Sequence, residues 1–283
     1  MTKLLVVIFS AGIDPWLTIE REGQMKTFGG RSYDSAQMVW IEANPLLDKK
    51  PQYLALNWLV GQSHRLFEDR RSRNLYRRLL SQAVSFASNF LSRRMLTGSR
   101  VVSQSNRIGN RITLAHPSHY LLQTSRTLEA FRYSLGNFEF DFLLRIASTT
   151  YADIPRFLAT LNSLEPETTY SGTIYKKHRI NIIGGSSILM SRDVVAALVE
   201  NEKHWSFDIF EDIAIGKVIA EREIAVAKSL QRIDVRDTNL SQIREDALSS
   251  NPPFIYRCKV DHPWTIDSQP VVTLMRKLDR VLT

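Results

Sequence analysis

The sequence predicts an α/β fold: one domain spanning 1–283, with a mostly parallel central sheet flanked by helices. Three observations lead there. The first apolar run, Leu4–Ser10 (LLVVIFS), has the two-sided apolar character of a strand covered on both faces. Strand-like and helix-like segments then alternate through most of the chain, as in a layered sheet. No internal repeat, low-complexity tract or convincing linker divides the 283 residues.

Taken in order, Leu4–Ser10 ends at Ala11-Gly12 and Asp14-Pro15, as a central strand reaches a loop. It is too short to span a bilayer and no convincing small-residue cleavage site follows, so a buried strand is preferred over a signal peptide. Met38–Glu42 (MVWIE) is a second strand, closed by Asn44-Pro45. From Gln62 to about Met95 the pattern is helical. Leu66, Tyr76, Leu79, Leu80, Ala83, Phe86, Ala87, Phe90 and Leu91 fall on or near one face. Its polar face is basic, with Arg65, Arg70, Arg71, Arg73, Arg77 and Arg78 against Glu68 and Asp69. That segment reads as a solvated amphipathic helix, interrupted once, or as a surface for anionic lipid or an acidic acceptor.

Arg111–Leu114 is a short strand and Thr124–Tyr133 a helix ended by Gly136-Asn137. Phe138–Ile146 is a strand. Asp153 caps the next helix, with Pro155 in its first turn, and that helix runs to about Leu164. Tyr170–Tyr175 and Ile180–Ile183 are short strands, Ser187–Met190 is another candidate, and Ser191 caps a helix over Asp193–Glu200. Ile209–Glu221 is a helix with acids in its first turn. Ala225–Leu230 and Phe254–Val260 are late strands, and Val271–Leu282 is a closing helix.

The net charge of +8 favours acidic partners such as phosphorylated substrates, anionic headgroups or nucleic acid. The single cysteine, Cys258, excludes an internal disulfide and a cysteine-rich zinc site and suits a reducing compartment. His116 and His119 lack metal-type spacing and read as loop histidines, and no Walker, GxGxxG, GxSxG or HExxH pattern occurs.

Three segments stand out chemically. In Phe140–Asp153 a buried strand empties into a polar loop, where Ser148, Thr149 and Thr150 could hold a phosphate or sugar; a plain loop with a capping Asp reads as well. In Asn181–Asp193, Gly184, Gly185 and Ser186 would let a ligand come close, or form a tight turn between strands. In Phe210–Gly216, Glu211 and Asp212 could supply a general base, or be acids favoured by the helix dipole.

In this order the segments resemble the Fringe-like β-glycosyltransferases, the β1,3-galactosyl- and N-acetylglucosaminyltransferase superfamily with a GT-A fold. The counterparts of its motifs are Leu143–Asp153, Gly184–Asp193 and Glu211–Gly216, and Tyr256–Lys259 resembles the end of bacterial members. The motifs cover about a third of the chain; the N-terminal half matches only as generic GT-A architecture, with a nucleotide-binding strand and loop at Leu4–Gly12 that includes Ser10.

The resemblance implies inverting transfer from a nucleotide sugar, UDP-linked, to a glycan hydroxyl. Asp212 is then the base, with Glu211 orienting it or the acceptor. Gly184, Gly185 and Ser186 line the donor-sugar floor, and Ser148, Thr149 and Thr150 contact ribose or diphosphate. The family's metal-binding acidic triplet falls on Ala147, Ser148 and Thr149, which are poor ligands for Mn²⁺ or Mg²⁺. No cofactor or divalent metal is therefore expected. Arg145, Lys176, Lys177, Arg257 and Lys259 could neutralise the leaving diphosphate instead, Arg257 and Lys259 foremost. The alternative is an inactive relative that binds carbohydrate or nucleotide. The expected partners are a nucleotide-sugar donor and a glycan acceptor, with a peripheral contact to anionic membrane as an option and no nucleic acid. The expected location is cytoplasmic, with a peripheral position at the inner face of the membrane as an option.

Overall fold

A computed structural model describes residues 2–10, 13–66, 74–177, 180–227, 230, 232–247, 254–259 and 268–283. Its strands are β1 Leu4–Ser10, β2 Ala36–Ala43, β3 Asn106–Ile108, β4 Arg111–Leu114, β5 Phe142–Ala147, β6 Thr150–Ala152, β7 Tyr170–Lys177, β8 Ile180–Ser191, β9 Arg232–Val235 and β10 Ile255–Cys258. Every residue of β1 is buried. Leu5, Val7 and Phe9 enter one core and Leu4, Val6 and Ile8 the other. Burial on both faces explains a run without polar alternation, and each such side chain contributes roughly 1.5–3 kcal/mol.

A 7-stranded sheet runs β3-β4-β2-β1-β5-β8-β7. Only its central run β4-β2-β1-β5 is parallel. The pairs β3–β4, β5–β8 and β7–β8 are antiparallel, so the sheet is mixed, with its parallel run at the centre. A 3-stranded sheet, β6-β10-β9, lies beside it.

The helices are α1 Trp16–Thr18, which continues into a π-helical segment Ile19–Gln24, then α2 Pro51–Arg65, α3 Leu75–Leu96, α4 Ser99–Ser103, α5 Gln123–Asn137, α6 Ile154–Leu161, α7 Arg192–Glu200, α8 Glu211–Glu221, α9 Leu240–Ala247 and α10 Gln269–Leu282. Helices α5, α7 and α8 share one core with Leu5, Val7 and Phe9. The small sheet, α6 and α10 share the other with Leu4, Val6 and Ile8. Helix α10 closes on residues 19–24: Arg276 donates to the Glu22 carboxylate at 2.9 Å, and Gly23 lies against the Met275 sulfur. Gln24 in turn donates to the carbonyls of Ala147 and Thr150.

Several sequence expectations change here. The paired glycines are not a turn between two strands: β8 continues through them, with its register against β7 shifted between Ile183 and Ile188. Phe138–Asp141 leads into β5 without joining the sheet. No strand forms over the described part of Ala225–Leu230; the strand comes later, as β9, and Val260 lies outside the described residues. The helical stretch from Gln62 to Met95 is two helices, the first beginning at Pro51, and Arg70, Arg71 and Arg73 lie outside the described residues. Among the described residues no helix is long and apolar enough to cross a membrane.

Helix α3 is also turned around. Its buried positions are Ser81, Ser88, Ser92 and Leu96, whereas Leu75, Tyr76, Leu79, Leu80, Phe86 and Phe90 are exposed. The orientation is set by polar bonds to one buried carboxylate. Asp208 accepts from Ser63 of α2 at 2.5 Å and from Ser85 and Asn89 of α3, both at 2.8 Å. Turning α3 to hide its apolar side would take Ser85 and Asn89 away from that buried carboxylate, at a cost of about 1.5–3 kcal/mol for each bond to the charged group.

Candidate functional site

The site lies at the carboxyl ends of β1 and β5, where open α/β sheets bind ligands. Arg145, in β5, points toward α5 and α8 and is only 2% exposed. Its guanidinium is ion-paired with Glu211, the first residue of α8. Glu211 also accepts from Thr127 at 2.6 Å and Gln123 at 3.0 Å, both on α5. Gly185 completes the cluster from β8. A Cβ built there would sit 3.1 Å from Glu211 Oε1, 3.7 Å from Arg145 Nη1 and 3.8 Å from the Cβ of Asp212. Thus β5, β8 and α8 bring Arg145, Gly185, Glu211 and Asp212 to one point.

That crowding is testable. Gly185→Ala should lower stability by about 1–3 kcal/mol in urea denaturation, because the added methyl meets a carboxylate already held on three sides. An unchanged midpoint would mean that β8 yields locally.

The second guanidinium is one the sequence did not flag. Arg126 of α5 is 5% exposed, and its Nη1 donates to the Ser10 carbonyl at 3.5 Å. Arg126 and Arg145 lie 5.9 and 5.0 Å from the centroid of the Phe9 ring. Burial, with the charge of Arg145 adding to it and Glu211 opposing, depresses the Arg126 pKa to about 10. Arg126 Nε and Arg145 Nε and Nη1 have no hydrogen-bond partner among the described residues. Two buried guanidiniums thus face Glu211 as the nearest carboxylate, with donors left over for an anion.

A second cluster sits around the neighbouring residues of β8. Arg232 of β9 donates to the Ser186 hydroxyl and, at 2.8 Å, to the Tyr175 hydroxyl, and Gly184 packs against the Tyr175 ring. Arg257 pairs in register with Thr150 and Asp234. Burial, then the charge of Arg232, lowers its pKa. Lys259 is engaged by Asp234 at 2.6 Å, which also holds Arg232 at 3.1 Å. Lys176 lies on β7, the outer strand of the sheet, and the side chain of Lys177 lies outside the described residues.

Other expected site residues have partners within the chain. The Thr150 hydroxyl donates to the Ser186 carbonyl at 2.9 Å, and Thr150 belongs to β6 rather than to an open loop. Ser148 and Thr149 are buried in the turn between β5 and β6, where the Thr149 carbonyl accepts from the Cys258 amide. Ser10 is fully buried and its hydroxyl bonds Glu20, itself paired with Arg111. Glu211 is held by Arg145, Thr127 and Gln123 at the start of α8. Asp153 caps α6 by accepting from the Arg156 amide at 3.3 Å, as expected. His116 is buried between the Pro117 carbonyl and the Ser125 hydroxyl, and burial lowers its pKa to about 3, so it stays neutral.

Ala147, Ser148 and Thr149 offer no carboxylate, and among the described residues no three His, Cys, Asp or Glu side chains gather where one ion could hold them.

No family model matches the chain, and no curated protein matches it. Solved structures show slight likeness. The apo form of mouse xyloside xylosyltransferase 1 is 7% identical, with a TM-score of 0.36 over 93% of this chain and 99% of that one. The apo form of the glycosyltransferase GlyE of Streptococcus pneumoniae TIGR4 is 10% identical at a TM-score of 0.36, and the alignment covers 96% of this chain but 62% of that one. Likeness this slight decides neither fold nor activity.

Proposed function

We propose that the chain is a glycosyltransferase that moves a sugar from a nucleoside-diphosphate sugar to a hydroxyl of a glycan, without a divalent metal. The observation that carries this reading is the buried pair Arg126 and Arg145, which faces Glu211 at the carboxyl ends of the parallel strands with donors unused. Such a site favours an anion shared between two guanidiniums, and a diphosphate matches it in charge and donor geometry. The Fringe-like resemblance of the three segments, which contribute Arg145, Gly185 and Glu211 to one cluster, supplies the sugar chemistry.

In this reading the acceptor oxygen attacks the anomeric carbon as Asp212 takes its proton, and the bond from that carbon to the diphosphate oxygen breaks. Arg145 and Arg126 stabilise the charge that grows on the departing diphosphate. Glu211 fixes Arg145 and the start of α8, and thereby Asp212 against Gly185.

Arg126→Met tests the carrying observation. Replacing a poorly compensated buried cation by an apolar chain of similar length leaves stability unchanged or raised. Loss of a charge-assisted bond should weaken UDP binding about tenfold or more, measured by calorimetry in EDTA. Equal UDP affinity in wild type and variant, or binding only with added Mn²⁺, would overturn the metal-free diphosphate site. Saturable UDP binding with no transfer or donor hydrolysis would favour the inactive binding protein.

A further inference from the structure

The exposed face of α2 and α3 is a feature that the proposed reaction leaves unused. On α3, at roughly 100° per residue, Leu75, Leu79, Phe86 and Phe90 fall within about 60° of one another, opposite Ser81, Ser88 and Ser92. Phe86 is 75% exposed, Tyr76 73%, and Trp58 of α2 65%. The seam between the helices adds a groove of about 360 Å³ lined by Leu56, Trp58, Leu59, Leu91 and Met95, among others. Isolated exposed apolar residues are ordinary, but a continuous stripe on a helix roughly 33 Å long is not.

The charges beside the stripe identify its occupant. Neither α2 nor α3 contains Asp or Glu, and none occurs anywhere between Asp69 and Glu129. Arg65, Arg77, Arg78 and Arg94 are exposed beside the apolar residues. A face that mates with another protein commonly carries both signs of charge, whereas the charged side chains of these two helices are all basic. A basic helix with aromatic and leucine side chains outward matches the boundary of an anionic bilayer. Rings and leucines enter the acyl margin there, and arginines meet headgroup phosphates.

We infer that α2 and α3 form a docking surface for an anionic lipid bilayer, on which the protein lies peripherally. Helix α2 also touches the candidate site: His64, near its end, contacts Phe210 with ring centroids 5.0 Å apart, and Phe210 directly precedes Glu211 and Asp212.

Co-sedimentation with vesicles tests the inference. Wild type should bind vesicles containing phosphatidylglycerol, lose affinity as salt rises, and bind pure phosphatidylcholine far more weakly. Phe86→Ser with Phe90→Ser removes apolar contact at constant charge, and Arg77→Gln with Arg78→Gln removes charge at constant apolar contact. Each pair should weaken binding by about tenfold or more. The side chains are exposed, so thermal midpoints should not move. Absence of wild-type binding, or equal binding by the variants, overturns the inference. So does self-association in sedimentation equilibrium that the phenylalanine pair abolishes while vesicles are ignored, since the occupant is then a second copy of this chain.

Discussion

Asp212→Asn is expected to lower the transfer rate by about 10²–10⁴-fold while leaving the thermal midpoint and the affinity for nucleoside diphosphate unchanged. The substitution keeps size and shape and removes the proton acceptor. Asp212 follows the anchoring residue of α8, and its Cβ faces Gly185, so the change leaves the Arg145–Glu211 contact in place. Turnover near the wild-type rate would remove Asp212 from the reaction. A large fall in UDP affinity would place it in donor binding instead.

Glu211→Ala should behave in the opposite way. It removes the carboxylate that compensates two buried guanidiniums and leaves Thr127 and Gln123 without their acceptor. Breaking such a pair costs about 3–5 kcal/mol, so urea denaturation should show a large loss of stability before any activity is measured. Saturating UDP should restore more stability to this variant than it adds to wild type, because the diphosphate supplies the missing negative charge. A stability change below about 1 kcal/mol would show that solvent already screens the pair. Together the two neighbouring acids separate cleanly, one measured by rate and the other by stability.

The sequence announced some of this architecture and hid the rest for physical reasons. β1 was legible because burial on both faces leaves an unbroken apolar run, and α10 because one face alone is buried. β8 was not, because Gly184 and Gly185 read as a turn; their strand survives since the Tyr175 ring and the Glu211 carboxylate occupy the space a side chain would need. β9 (Arg-Ile-Asp-Val) hid behind its charges, which pair with one another and with Lys259. Glu211 and Asp212 were visible as acids at a helix start, but their separate surroundings were not. Arg126 resembled any polar residue on a helix, and only the packing of α5 between the sheet and α8 shows it to be buried. The facing of α3 depends on Asp208, more than a hundred residues downstream, and no local periodicity could report that.

The contact between α10 and residues 19–24 has a consequence for how the molecule is made. On the ribosome the segment Ile19–Gln24 emerges well before Val272, Met275 and Leu278, which share its core. The core around Leu5, Val7 and Phe9 can assemble while that later segment is still being made. The opposite side of the same strand stays incomplete until α10 has left the exit tunnel. The nascent protein therefore carries a half-finished apolar face over that interval, and that face is where a chaperone would be needed.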